Sequence, residues 1–305
     1  MNLLPPEVQL DIFKCLNFQQ LFNIQQTNSF YRDFVKEYEQ KLAMMELFKL
    51  DIFTVNEINL NKYKFIKLDP KFYEFELSEE QENKWINGLK NSIPMFLKDD
   101  DTNVFLVISV LKRKDDFKIE ALNLQFPIIP KNIEEMKISR YLFQQFSNCV
   151  FEQVCLDTVV FNCYFKLHQF IFNPQMLEIL YENRDKTKNP LPLQIHSREA
   201  KLQIYKDYDH NSILKFAFNH LISNKLKIRF ADGINIEKEK YQDVLFTILT
   251  TGGNQFFEVR CKHPKLSGLH ELIIKHKETL TDTSNMVKEI IFEDSYGSEK
   301  RIVNE

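Results

Sequence analysis

Phe151-Glu152-Gln153-Val154-Cys155-Leu156 places apolar side chains at its first, fourth and sixth positions, and Ile119/Leu122/Leu124 and Val287/Ile290/Phe292 repeat that spacing. Short apolar runs of this kind predict buried strands. Working outward, strands are expected at Ile119–Phe126, Phe151–Phe161, Leu191–His196, Leu226–Phe230, Phe256–Cys261 and Val287–Phe292. They recur at intervals of roughly 30–38 residues, which is a repeat-like period. Helical periodicity fills the intervals at Met176–Tyr181, Ile213–Leu221, Tyr241–Leu249 and Leu269–His276. Alternating strands and helices predict a parallel sheet with helices packed on it.

The hexamer is the strand spacing of leucine-rich repeats, a short pattern that also fits Ile133/Met136/Ile138 and, inside an expected helix, Leu269/Leu272/Ile274. No repeat supplies the asparagine that such repeats use to bond the turn backbone; Pro127, Val159 and Ser295 hold those positions. The expected fold class is α/β, with an irregular leucine-rich-repeat-like α/β solenoid over residues 117–305 and a compact α+β domain as the alternative. A solenoid leaves one sheet face open as a long surface for a protein target, whereas strands buried on both faces expose nothing. Which side chains line such a face is not legible, because a register error of one residue inverts the pattern.

Residues 49–116 are expected to be a connecting α/β segment. Phe53, Val55, Ile58, Leu60, Tyr63 and Phe65 alternate loosely, and Tyr73, Phe75 and Leu77 alternate after the Asp69-Pro70 turn, so short strands are expected. A helix capped near Ser78 carries Trp85, Ile86 and Leu89, and Val104 to Leu111 predicts a buried strand. Asp99-Asp100-Asp101 between them predicts a solvated loop, since consecutive carboxylates point apart and make a poor cation site.

Composition removes several classes of function. Lys plus Arg number 40 against 43 Asp plus Glu, a net charge of −3, so no global field draws the chain to nucleic acid or an anionic membrane. Six glycines in 305 residues leave little material for phosphate loops, and Thr250-Thr251-Gly252-Gly253-Asn254 lacks the Lys-Ser/Thr they need. Those glycines are expected to form a left-handed helix cap. His270-Glu271 would need a histidine at position 274 to resemble a zinc protease helix, and that position is Ile274. His196, His220, His263 and His276 have no metal-ligand spacing, and no G-x-S-x-G elbow is present. Lys112-Arg113-Lys114 and Lys225 to Arg229 are short basic clusters expected on solvated faces.

Five cysteines without a C-x-x-C pair suggest free thiols, and Cys149, Cys155 and Cys163 sit among apolar residues that favour inert thiols. With no secretory h-region and no apolar run near the ~20 residues that span a bilayer, a cytoplasmic or nuclear location is expected. No catalytic residue, cofactor or metal is assigned.

The N-terminal stretch is helical by its own signals. Pro5-Pro6 can open a helix, Glu7 complements its dipole, and Val8, Ile12, Phe13 and Leu16 form an apolar stripe opposite Glu7, Gln9, Asp11 and Lys14. Leu21 and Ile24 mark a second short helix. Asn28-Ser29 caps a third, carrying Phe30, Tyr31, Phe34, Val35, Tyr38, Leu42 and Met45. Three short helices cannot bury all of those side chains among themselves, so apolar surface remains for a partner.

Leu4-Pro5-Pro6-Glu7-Val8, Ile12-Phe13-Lys14-Cys15-Leu16, Leu21, Ile24 and the turn Asn28-Ser29-Phe30-Tyr31-Arg32 together resemble the F-box pattern, and the extension to Ala43 is similar to the divergent nematode F-box family. Gln20, Thr27 and Tyr31 depart from it, where Asp, Val and Trp are common. The resemblance implies an F-box over residues 1–48 that docks on a Skp-family adaptor through Leu4, Pro5, Val8, Ile12, Phe13, Leu16, Leu21 and Ile24, their burial divided between the F-box core and the adaptor groove. Through the adaptor it implies a cullin, and so a non-catalytic substrate receptor of a Skp–cullin–F-box ubiquitin ligase that holds an unknown protein target. The alternative is an F-box-containing protein-binding scaffold that acts without cullin.

Overall fold

The structure is a computed structural model that describes residues 4–16, 18–38, 41–56, 61–66, 73, 75–97, 104–115, 118–126, 128–155, 171–180, 194–204, 210–230, 241–263, 265–294 and 296–304. Ile58, Leu60, Asp99-Asp100-Asp101, Pro127, Val159, Cys163, Ser295 and the strand expected beyond Cys155 lie outside the described residues.

The chain opens with α1 (Pro6–Lys14), α2 (Phe18–Gln25) and α3 (Ser29–Glu37). Pro6 is the first residue of α1, Glu7 lies in its first turn, and the Gln9 N–H bonds the Pro5 carbonyl at 3.0 Å. Asn28 caps α3 by accepting the Tyr31 N–H at 2.9 Å. Leu10, Phe13, Leu21, Phe34, Val35 and Leu42 form a core of their own, with the Phe13 ring 5.1 Å from Phe34 and 5.9 Å from Tyr31. That core shares no residue with the larger one described next. Leu42 joins it from beyond the end of α3, and Met45 begins a strand, so the helical spacing expected through Met45 ends at Glu37.

The remaining elements are β1 (Met45–Asn56), α4 (Glu79–Lys90), β2 (Phe96–Leu97), β3 (Val104–Asp115), β4 (Lys118–Phe126), α5 (Ile133–Ser147), β5 (Cys149–Cys155), β6 (Ile171–Phe172), α6 (Pro174–Leu180), β7 (Ile195–Ile204), α7 (His210–His220), β8 (Leu221–Phe230), α8 (Tyr241–Thr251), β9 (Phe256–Lys262), α9 (Ser267–Thr279), β10 (Glu289–Glu293) and β11 (Glu299–Val303). The fold is mixed α/β, built on a nine-stranded sheet in the order β11-β10-β9-β8-β7-β5-β1-β3-β4. From β1 through β5, β7, β8, β9 and β10 every neighbouring pair is parallel, while β3, β4 and β11 close the edges antiparallel. Each parallel strand is added on the same side of the last, so right-handed crossovers carry the intervening helices to one face. There the inward side chains of the strands and of α4 to α9 merge into a single apolar core.

One backbone irregularity is stacked across the sheet. Leu47, Phe151, Ser197, Ser223 and Phe256 are register partners and buried, and three residues on so are Leu50, Val154, Ala200, Leu226 and Val259, continued by Ile290 and Ile302. Between the rows, two consecutive residues on each strand are left unburied, as in Arg198-Glu199 and Asn224-Lys225. A regular strand alternates faces at every residue, so the shared step requires all five strands to deviate together. Where phenylalanine fills this row in β5 and β9, serine stands in β7 and β8; the Ser197 hydroxyl donates to Ser223 Oγ at 3.0 Å and the Ser223 hydroxyl to the Lys225 carbonyl at 3.0 Å, so neither is buried unpaired.

Several sequence expectations are corrected here. The strand expected at Leu191–His196 is Ile195–Ile204, and the one at Leu226–Phe230 begins at Leu221. Tyr73, Phe75 and Leu77 form no strand; Phe75 instead packs edge-on to Trp85 with ring centroids 6.3 Å apart. Residues 133–147, where no element was expected, are helix, and Leu122 of the first hexamer is exposed on β4. Gly252 and Gly253 do not adopt positive φ, so they form no left-handed cap; the Gly253 N–H bonds the Asn285 carbonyl at 2.9 Å, where the backbones crowd.

Candidate functional site

Two surfaces stand apart from the cores. The first is the outer side of α1. Burial turns this helix so that Gln9, Leu10 and Phe13 face inward. Gln9, expected outside, is buried because its Nε2 donates to the Leu4 carbonyl at 2.7 Å and ties the lead-in to the helix. Leu4 and Val8 are correspondingly 38% and 44% exposed, Pro5 is exposed, and Ile12, Leu16 and Ile24 are half-buried. Phe13 at 0% and Leu21 at 2% exposure belong wholly to the bundle's own core. The eight residues named from the sequence thus separate into Phe13 and Leu21 in the bundle core, Leu16 and Ile24 packed half-buried against it, and Leu4, Pro5, Val8 and Ile12 toward the surface. Leu4 and Val8 keep less than half of their surface exposed, so each stands to gain about 1 kcal/mol on full burial by a partner.

The second surface is the sheet face opposite the helices. Glu199 on β7 accepts from Lys201 at 3.1 Å and from Lys227 on β8 at 2.6 Å. Lys225 pairs with Glu258 on β9 at 2.7 Å. Arg260 lies among Glu258, Glu293 and Glu299, Lys262 bonds Glu293, and Arg301 reaches Glu289 at 3.0 Å. Burial alone would raise the Glu199 carboxyl, but the two lysine ammoniums override it and hold it below the usual range. Lys262 lowers Glu293 in the same way. His196, half-buried on this face, has its pKa lowered by desolvation. At the start of β1, β5 and β7 the face dips into a cleft of about 290 Å³ lined by Glu46, Leu47, Phe48, Lys112, Val150, Glu152 and Arg198.

Sequence reading assigned none of these ion pairs. The signal was present in Lys225, Lys227 and Arg229 alternating with Leu226, Ile228 and Phe230, a half-buried strand with a basic outer edge. Partners on other strands are set by register, which the sequence does not print.

Other reactive residue types serve packing. His263 Nδ1 accepts the Lys265 N–H at 3.1 Å, and the rings of His220, His270 and His276 lie 5.0–5.6 Å from Phe216, Phe292 and Phe246. Burial pushes the Cys261 thiol up to about 12. Among the described residues, no group of three His, Cys, Asp or Glu could hold a metal, and no helix is long and apolar enough to cross a membrane.

A family model described as "Domain of unknown function (DUF8381)" matches residues 66–165 and 161–231, from before α4 to the end of β8. No curated protein and no solved structure matches the chain.

Proposed function

We propose that this chain, which belongs to the DUF8381 family since the matched span exceeds half of its 305 residues, is a substrate-receptor subunit of a Skp–cullin–F-box ubiquitin ligase. The single observation that carries the reading is the outer face of α1: Leu4 and Val8 stay exposed beside a bundle whose core is complete without them. An apolar strip left over from an otherwise finished core is what a hydrophobic groove on an adaptor can cover. The one-directional winding of the parallel strands supports a leucine-rich-repeat-like reading of the sheet, whose open face would hold the target. The chain then acts by proximity, bringing a lysine of the target near a ubiquitin-loaded conjugating enzyme, and supplies no acid, base or nucleophile.

The test is co-purification with a Skp-family adaptor. Leu4→Ala/Val8→Ala/Ile12→Ala is expected to reduce adaptor capture at least about tenfold, since each lost contact is worth on the order of 1 kcal/mol or more. Unchanged capture in a folded triple variant counts against the assignment. The alternative, a scaffold acting without cullin, is motivated by Gln20 and Thr27, where the F-box pattern commonly carries Asp and Val. Adaptor recovered repeatedly without cullin would favour it.

A further inference from the structure

Charge is unevenly spread over the open face of the sheet. The unburied side chains of β7 and β8 include Arg198, Lys201, Lys225, Lys227 and Arg229 against Glu199 alone, five cations to one carboxylate. Those of β1 and β5 for which burial is described hold Lys49 against Glu46, Asp51 and Glu152. In β9, β10 and β11, Arg260, Lys262 and Arg301 stand against Glu258, Glu289, Glu293 and Glu299, while Lys300, the register partner of buried Phe292, lies on the helix side. The face is therefore a cationic strip of net +4 between two acidic flanks, of net −2 on one side and −1 on the other.

Internal pairing offsets the strip only in part. Lys201 and Lys227 share one carboxylate, Glu199, Lys225 pairs with Glu258 of the flank at 2.7 Å, and Arg229 is exposed. Arg198 reaches Glu46 at 3.4 Å, with both side chains more than half exposed, a pairing that contributes little. Along β8, Lys225, Lys227 and Arg229 present charge at every second residue, about 6.6 Å apart, which is also the spacing of same-face side chains on an extended peptide. The strip is only two strands wide, near 4.8 Å between strands, with Glu46, Glu152 and Glu258 beside it. A single acidic chain fits within it, while the broad phosphate array of a nucleic acid would meet the flanking carboxylates.

We propose that the β7–β8 strip is a docking site for an extended acidic segment of the target protein, recognised by carboxylates at alternate residues. The proposal rests on the receptor reading for the identity of the target, but the strip's charge is independent of the adaptor face.

The experiment measures fluorescence anisotropy of a labelled peptide of alternating Glu and Thr on the full chain, alongside a labelled single-stranded RNA and a Lys/Thr peptide. Saturable binding of the Glu/Thr peptide that weakens as salt rises is expected, with at least about a tenfold loss in Lys227→Glu/Arg229→Glu and little change in Lys227→Arg/Arg229→Lys. Should the charge-reversed chain fail to fold, Lys227→Gln/Arg229→Gln gives the same readout with a smaller loss. No binding of the Glu/Thr peptide at low salt, or binding that both variants retain, overturns the proposal. RNA bound as tightly as the peptide at the same residues also overturns it. Leu4→Ala/Val8→Ala/Ile12→Ala is expected to bind the peptide normally. Normal peptide binding by a wild-type chain that captures no adaptor would defeat the receptor reading alone.

Discussion

Gly253 shows how one residue can let two stretches of backbone meet. A Cβ there would lie 2.3 Å from the Met286 carbonyl oxygen and 2.9 Å from that of Asn285, both backbone atoms that cannot swing away. Gly253→Ala is expected to cost about 1–3 kcal/mol in urea unfolding, through overpacking and not through φ. Gly268, in the first turn of α9 with nothing within 4 Å of its would-be Cβ, is the control. Gly268→Ala is expected to stabilise by about 0.5–1 kcal/mol, because alanine loses less backbone entropy in a helix. Equal effects at the two positions would refute the close-approach argument. Phe13 and Val8 make a similar contrast on α1: Phe13→Ala removes the centre of the bundle core and should cost that unit about 3–5 kcal/mol, while Val8→Ala should stay within about 0.5 kcal/mol.

At the scale of elements, α5 is held at its start by reciprocal bonds. Asn132 accepts the Glu135 N–H at 2.9 Å, and Glu135 Oε2 accepts the Lys131 N–H at 2.8 Å. Asn132→Ala should therefore lower stability by about 1 kcal/mol, read from the same urea curves at unchanged slope. Asn-x-x-Glu before an apolar run is a helix-start signal, which the expected helices left out here. Strand carboxylates contribute to the pH dependence. Glu199 and Glu293 are depressed in the folded chain, so they stabilise it above the ordinary glutamate range near 4.3, and that contribution is lost as pH falls through their folded values. Glu199→Gln/Glu293→Gln is expected to flatten the loss of thermal stability on acidification below about pH 4.5 relative to wild type. Parallel curves would mean that the ladder contributes nothing measurable.

For the whole molecule, the two separate apolar cores set how it unfolds. A chain beginning at Ala43 removes the bundle yet keeps all of β1, and its sheet is expected to melt within a few degrees of the full chain. A chain beginning at Lys49 loses Met45 to Phe48, including Leu47, the partner of Phe151, and should melt clearly lower. Residue 48, where an F-box boundary was expected, thus lies inside a strand that pairs with both β3 and β5. Amide exchange should likewise be faster in α1 to α3 than in β7 to β9, since the smaller core buries less apolar surface per residue.

Local signals determined a great deal by themselves. Pro5-Pro6, Asn28 and Ser78 mark helix starts, and the apolar runs at Phe256–Cys261 and Val287–Phe292 mark strands, because caps and periodicity depend only on near neighbours in the chain. The inward-facing residues were legible where the chain uses large side chains, at Phe151/Val154 and Ile290/Phe292, and illegible in β7 and β8, where Ser197 and Ser223 occupy the inward row. A serine can stand there only because a partner strand supplies its hydrogen bond. Tertiary structure alone decided the rotation of α1, the end of α3, the crowding at Gly253 and the ion pairs across the open face. Each depends on juxtapositions set by register and packing, which no local period encodes.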